Sequence, residues 1–166
     1  MPASTAAARR STSPFSALSR WLDRRREHGV VFVRLAVGVH LVVGTQDNVF
    51  SWERMLEFRD FLAAQGFPWP LLSANVSAWA QLVCGGLFVL GLLTRPAAAV
   101  MVVNFLVALG MVHLGKTPYE ATFPAFFMLA GALFLFVHGP GAWSVDGWLA
   151  GTRPPERRSL RSADSM

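Results

Sequence analysis

Charge is scarce in this chain, and other chemically useful residues are nearly missing. Only 15% of its 166 residues are charged, against about 25% in an average soluble domain. Cysteine occurs once, at Cys84, which excludes an internal disulfide, a CxxC redox pair and a thiolate zinc cluster. A helical membrane thiol oxidoreductase needs at least a cysteine pair and is excluded with them. Lysine also occurs once, at Lys116, beside 14 arginines. No phosphate-binding glycine loop, GxSxG elbow or carboxylate pair is present, so the sequence offers no nucleotide chemistry and no hydrolytic constellation. Residues 1–13 contain no apolar run, and a cleaved signal peptide is not expected.

Long apolar runs are abundant. Four stretches, Gly29–Thr45, Ser73–Leu93, Pro96–Leu114 and Thr122–His138, total 74 residues and contain one charged side chain, Arg34. The other 24 charges lie in the remaining 92 residues, an ordinary soluble density. Core helices of soluble proteins keep a polar stripe toward water, and these stretches have none. The pattern predicts an all-α, polytopic membrane protein with four transmembrane helices in an antiparallel bundle. It argues against a nucleic-acid binder despite a pI near 11.0.

The basic residues order the topology. Arg9, Arg10, Arg20, Arg24, Arg25 and Arg26 precede the first span, Arg95 lies between the second and third, and Arg153, Arg157, Arg158 and Arg161 follow the fourth. Arg54, Arg59 and Lys116 lie on the other side. This bias of eleven to three places both termini in the cytoplasm of a cell-membrane protein. Residues 1–28 read as a cytoplasmic basic arm, with an amphipathic helix starting at Ser13-Pro14 and lying on an anionic leaflet. Residues 29–149 read as the membrane domain and 150–166 as a disordered cytoplasmic tail.

The first outer loop, Gln46–Leu72, is predicted to hold a helix capped by Ser51 and closed by Gly66 before Pro68 and Pro70. Trp52, Met55, Leu56, Leu62 and Ala63 share one arc of it, opposite Glu53, Glu57 and Asp60, so the helix caps the outer face of the bundle or rests in the interface. Arg59 falls on the apolar arc and is expected to snorkel. Thr94-Arg95-Pro96 reads as a turn joining the second and third spans as adjacent antiparallel helices. Thr117-Pro118-Tyr119-Glu120 has the form of a capping box, Gly139-Pro140-Gly141 ends the fourth span, and Trp143 and Trp148 read as interfacial anchors.

Arg34 is the residue on which a functional reading turns, because a charge at a span centre costs at least ~2.5 kcal/mol on insertion scales. Gly38 and Thr45 lie within about 40° of it on a helical wheel, a small, polar stripe suited to helix contact. Arg34 is therefore expected to face the bundle, paired with Asp146 in a structural ion pair. Gln81, one turn after Ser77, and Asn104 in the third span are either interhelical hydrogen-bonding glue or, with Arg34 and His40, the lining of a polar ligand pocket. His40 lies about 16 Å from the cytoplasmic end of span one and His113 about 26 Å along span three. These depths do not match for a bis-histidine haem, and His40 is expected to be a hydrogen-bonded core residue. No metal site is expected, because the spans carry no carboxylate.

Several of these features occur in a familiar order. They are the arginine early in span one and the loop Gly66-Phe67-Pro68-Trp69-Pro70. Then come the run from Gln81 through Cys84-Gly85-Gly86 to Thr94-Arg95, Val112-His113, and the closing Gly139-Pro140-Gly141-Ala142-Trp143-Ser144-Val145-Asp146. Together they resemble the DoxX family of four-helix membrane proteins of bacteria and archaea. The resemblance implies a membrane oxidoreductase or oxidative-stress setting. DoxD-type members are subunits of a thiosulfate:quinone oxidoreductase, and some actinobacterial DoxX members are linked to a complex with a superoxide dismutase and a thiosulfate sulfurtransferase. Many members carry a glutamate where Gln81 stands, and the amide puts any proton-coupled step in doubt. The expected role is an accessory or quinone-facing subunit with no intrinsic cofactor, whose electrons come from a partner. The alternatives are a scaffold docking soluble redox enzymes on the cytoplasmic face, and a small-solute carrier, which the absence of repeats or a broken helix disfavours.

Overall fold

The computed structural model describes residues 14–113 and 119–151. The Ser13 cap, the Thr117-Pro118 half of the capping box and the tail from residue 152 lie outside the described residues, as does the side-chain placement of the basic helix up to Glu27. Every regular element among the described residues is helical. The elements are α1 (Pro14–Phe50), α2 (Trp52–Ala64), α3 (Pro70–Leu90), α4 (Thr94–Ala108), which continues as a π-helical turn (Leu109–His113), α5 (Tyr119–His138) and α6 (Val145–Gly151). Three segments are long and apolar enough to cross a membrane, His28–Phe50, Pro70–Leu90 and Thr94–Val112, and the apolar part of α5, Thr122–His138, is shorter.

Element boundaries differ from the sequence reading in two places. First, α1 does not stop near Thr45. It runs through Gln46, Asp47 and Asn48 to Phe50, and Ser51 alone links it to α2. Thr45 permits this because its hydroxyl donates to the Leu41 carbonyl one turn back, at 2.6 Å, so the polar side chain is satisfied without breaking the helix. Second, Thr94-Arg95-Pro96 is not the hairpin turn but the first turn of α4. The turn is Gly91–Leu93: Gly91 (φ 67°) and Leu93 (φ 48°) both adopt the left-handed conformation, and Leu92 N–H closes α3 by donating to the Leu87 carbonyl at 3.0 Å.

At the other end, α2 begins at the Ser51 cap and closes as predicted at Gly66 (φ 81°). Gly66 N–H reaches the Ala63 carbonyl at 3.0 Å and Phe67 N–H the Leu62 carbonyl at 3.1 Å, a Schellman closure. Phe67 and Leu62 also meet in the cluster that seats α2 on the bundle, with Met55, Ala74, Ala78 and Val112. The buried face of α2 is narrower than the predicted arc. Met55 and Leu62 are buried, with Phe58 packed beside them, but Trp52 and Ala63 are exposed. Arg59 bonds the adjacent Asp60, Nε to Oδ1 at 2.7 Å.

The main core joins α1, α3, α4 and α5 around Val37, Leu41, Phe88, Met101 and Leu135. The α1–α3 contact is made by bare backbone. A Cβ on Gly38 would lie 2.9 Å from the Gly85 carbonyl oxygen, and one on Gly85 would lie 2.9 Å from that of Gly38. Small residues allow this approach, and dispersion between closely packed backbones supplies the association that lipid does not. Val37 then fits against Gly131 of α5, where a Cβ would come within 2.7 Å of its Cγ2. Phe123, Phe126, Phe127 and Phe136 on α5 point outward as apolar bulk, and exposed tryptophans flank both ends, Trp52 and Trp69 at the α2 end and Trp143 and Trp148 at the hairpin end.

Candidate functional site

Two polar assemblies occupy opposite ends of the bundle. At the hairpin end, Arg34 faces inward and is 2% exposed. Its partners are main-chain carbonyls of the loop between α5 and α6: Nη1 donates to the Pro140 oxygen at 2.6 Å and Nη2 to the Trp143 oxygen at 3.0 Å. Asp146 belongs to the same assembly, but its carboxylate is engaged elsewhere. Oδ1 accepts from Leu93 N–H at 2.8 Å, Oδ2 from Thr94 N–H at 3.0 Å, and Asp146 N–H donates to the Gly91 carbonyl at 3.0 Å. The expected Arg34–Asp146 ion pair is therefore not a direct salt bridge. The first N–H groups of a helix have no intrahelical acceptor, and the carboxylate caps α4 with both oxygens. The fork of Arg34 matches two carbonyls exposed by the Gly139–Trp143 bend.

This joint ties α1, the α3–α4 turn and the chain after α5 to one another. Among the described residues, it holds two of the three non-glycine residues at positive φ, Leu93 and Trp143 (φ 50°), a conformation costing of order 1–3 kcal/mol when not supported. Gly91 is required here twice over, by its φ and because any Cβ would strike the Arg34 guanidinium and Ser144. Ser144 caps α6, accepting from Gly147 N–H at 3.0 Å. Arg95 reaches the Val137 carbonyl at 3.4 Å, at the C-terminal end of α5 where a cation is favoured. Two buried polar atoms of the joint, Arg34 Nε and Thr94 Oγ1, have no hydrogen-bond partner.

At the other end is a cavity of about 310 Å³ beneath α2. Its roof is Phe58, Phe61, Leu62 and Phe67, and its walls include Leu41, Phe105, Val112 and Met128. The polar part is a short chain of side chains bridging α3 and α4. Gln81 Nε2 donates to Ser77 Oγ at 3.1 Å, and the Ser77 hydroxyl donates to Asn104 Oδ1 at 2.9 Å. Gln81, Asn104 and His40 all line this cavity, and Arg34 does not. Of the four candidate pocket residues, three are thus brought together, while Arg34 sits in the joint. His40 departs from expectation in another way. It is exposed on α1 rather than buried in the core, because the buried positions of α1 among the described residues are Val30, Arg34, Val37, Gly38, Leu41 and Thr45, and His40 falls beside that stripe. With Gly44, Val107 and Pro124 it marks where the cavity reaches the apolar outer surface.

No Asp, Glu, Lys or Arg lines the cavity, and among the described residues no group of three or more His, Cys, Asp or Glu could hold a metal ion. The arrangement suits a neutral molecule with an apolar body and a hydrogen-bonding head, at the small end of the volumes typical of ligand pockets.

Comparison with known proteins fits this architecture. The DoxX family model matches residues 29–114, from the start of the apolar part of α1 to just past the π-helical turn. The uncharacterized membrane protein Rv3486 of Mycobacterium tuberculosis is 31% identical over 148 residues, covering 76% of this chain and 85% of its own length. The chain belongs to the DoxX family. No solved structure matches it. In this DoxX-family membrane protein, the family match takes in Arg34, the whole Gln81–Ser77–Asn104 chain and the α2 roof, whereas Asp146 and the carbonyl partners of Arg34 lie beyond it.

Two contributors were not singled out from the sequence. Ser77 is the centre of the hydrogen-bond chain, and its i, i+4 spacing from Gln81 was the available signal. The phenylalanine roof was not foreseen as part of a site, since aromatic residues in an amphipathic loop helix read equally well as lipid contacts.

Proposed function

We propose that this protein is a four-span protein of the cell membrane with both termini in the cytoplasm, acting as a quinone-facing accessory subunit of a membrane redox system. α5 serves as the fourth span, its 20 residues matching the length a bilayer core requires. The observation that carries the reading is the cavity free of Asp, Glu, Lys and Arg, with the Gln81–Ser77–Asn104 chain on one wall, reaching the apolar outer surface beside His40, Gly44, Val107 and Pro124. A quinone head group is a flat apolar ring with hydrogen-bonding oxygens and arrives laterally through the bilayer. A dry apolar cavity of about 150 Å³ already holds benzene, so the larger space here has room for a substituted ring.

The chain's own residues bind and orient. Gln81 and Asn104 fix the head group, the α2 phenylalanines cover the ring, and an amide at position 81 neither gives up nor takes a proton. Electrons come from a partner, and the arginine-rich arms are suited to hold an acidic soluble one. Purification in a mild detergent followed by mass spectrometry of co-purifying lipids and proteins tests this. Quinone is expected with the wild-type protein and lost in a folded Gln81→Leu variant; neither quinone nor a redox partner would overturn the reading.

A second reading, a scaffold without a ligand, draws on ten of the fifteen basic residues lying in the two arms. It predicts that Gln81→Leu is silent and that neutralising the arms abolishes function.

A further inference from the structure

The hydrogen-bond chain on the cavity wall has a direction, and the direction has a chemical consequence. A serine hydroxyl owns one proton and donates once. Ser77 gives it to one amide oxygen and accepts from the other amide's nitrogen. Exchanging the oxygen and nitrogen of both amides would reverse the chain without changing its logic. In either sense, one of the two amides keeps an unused oxygen and the other an unused NH2. Neither Gln81 nor Asn104 has a further hydrogen bond among the described residues, and both line the cavity. Because both amides bond the same Ser77 oxygen, at 2.9 and 3.1 Å, their bonded atoms are no more than about 6 Å apart.

From this we infer that the cavity selects the reduced, hydroxyl-bearing form of its ligand, a quinol rather than the corresponding quinone. A single hydroxyl placed between the amides donates to the free oxygen and accepts from the free NH2. A quinone carbonyl can only accept. It satisfies the NH2 and leaves the amide oxygen facing an apolar ring, away from water, which weakens binding by roughly ten- to a hundredfold. The lining holds no Lys or Arg, so an anionic head group such as a fatty-acid carboxylate would find no fixed cation to meet there. This inference rests on the quinone-facing reading of the cavity and adds which redox form is held.

The test is isothermal titration calorimetry of the full chain in detergent under anaerobic conditions, with three probes: a short-chain benzoquinol, its quinone, and the quinol's dimethyl ether. The ether keeps the ring and the acceptors but has no proton to give. The quinol is expected to bind roughly ten- to a hundredfold more tightly than the quinone, with the ether at the quinone's level. In Ser77→Ala the relay is gone and each amide is free to turn, so the preference for quinol should fall to a few-fold while the ring still binds. Equal affinity for quinol and quinone in the wild-type protein would overturn the inference and leave the quinone-facing role standing. Failure of all three probes to bind would overturn that role and the inference together.

Discussion

Replacing Arg34 with methionine separates the two polar assemblies, and its effect can be worked from the geometry. Methionine keeps the apolar stem and removes the guanidinium, which donates to the Pro140 carbonyl at 2.6 Å and to the Trp143 carbonyl at 3.0 Å. Hydrogen bonds from a charged group contribute about 1.5–3 kcal/mol each, so the gross loss is about 3–6 kcal/mol. Against this, the variant no longer buries a charge whose Nε is unpartnered, which returns about 1–3 kcal/mol. Taking low ends together and high ends together, the net destabilisation is about 2–3 kcal/mol. For a chain of this size each kcal/mol moves the melting midpoint by about 2–4 °C, so Tm should fall by about 4–12 °C. The loss should be local. Hydrogen exchange should accelerate across 139–151, the segment whose bend Arg34 holds. Binding at the cavity should stay within about twofold, as for distant sites that share no partner. Thermal unfolding in detergent, exchange by mass spectrometry and calorimetry with the quinol probe measure the three quantities. An unchanged Tm would refute the joint, and lost binding in a folded variant would show that Arg34 reaches the ligand after all.

The same reasoning gives three further expectations. Asp146→Ala removes the acceptor for two N–H groups at the start of α4 and should destabilise by about 1–2 kcal/mol, read as a drop in Tm, with Asp146→Asn intermediate because one amide oxygen can still accept. Gly85→Val should not accumulate as folded protein, since its Cβ meets the Gly38 carbonyl; Gly86→Val, whose Cβ meets nothing within 4 Å, should give a normal monodisperse peak on size exclusion. Leu62→Ala hollows the cluster that seats α2, at a cost of about 2–5 kcal/mol, and should speed ligand dissociation in stopped-flow measurements more than association.

How much was legible beforehand depends on what kind of information each feature needs. The α2 helix, its Ser51 cap and its Gly66 closure were readable because caps are local chemistry, satisfied within a few residues. The hairpin turn was misplaced by three residues, because Leu93 carries no sign of its left-handed backbone and is held there by Asp146, 53 positions along the chain. Gln81 and Asn104 were identified as polar residues in apolar helices, yet only the tertiary structure shows that Ser77 joins them across α3 and α4 while both also line the cavity.

The charge segregation of the sequence determined the class by itself: a helix whose every face is apolar has no stable place in water. One charge in 74 apolar-stretch residues also singled out Arg34, and Gly38 and Thr45 beside it on the helical wheel pointed it inward. Where that side chain ends was decided by the tertiary structure alone. Helical periodicity orders residues around their own axis and says nothing about which neighbour they meet. The partners of Arg34 are backbone carbonyls more than a hundred residues away, and a carbonyl leaves no mark in an amino-acid sequence. For the same reason the cavity was invisible, since it is bounded by α1, α2, α3, α4 and α5 at once and exists only where they fail to touch.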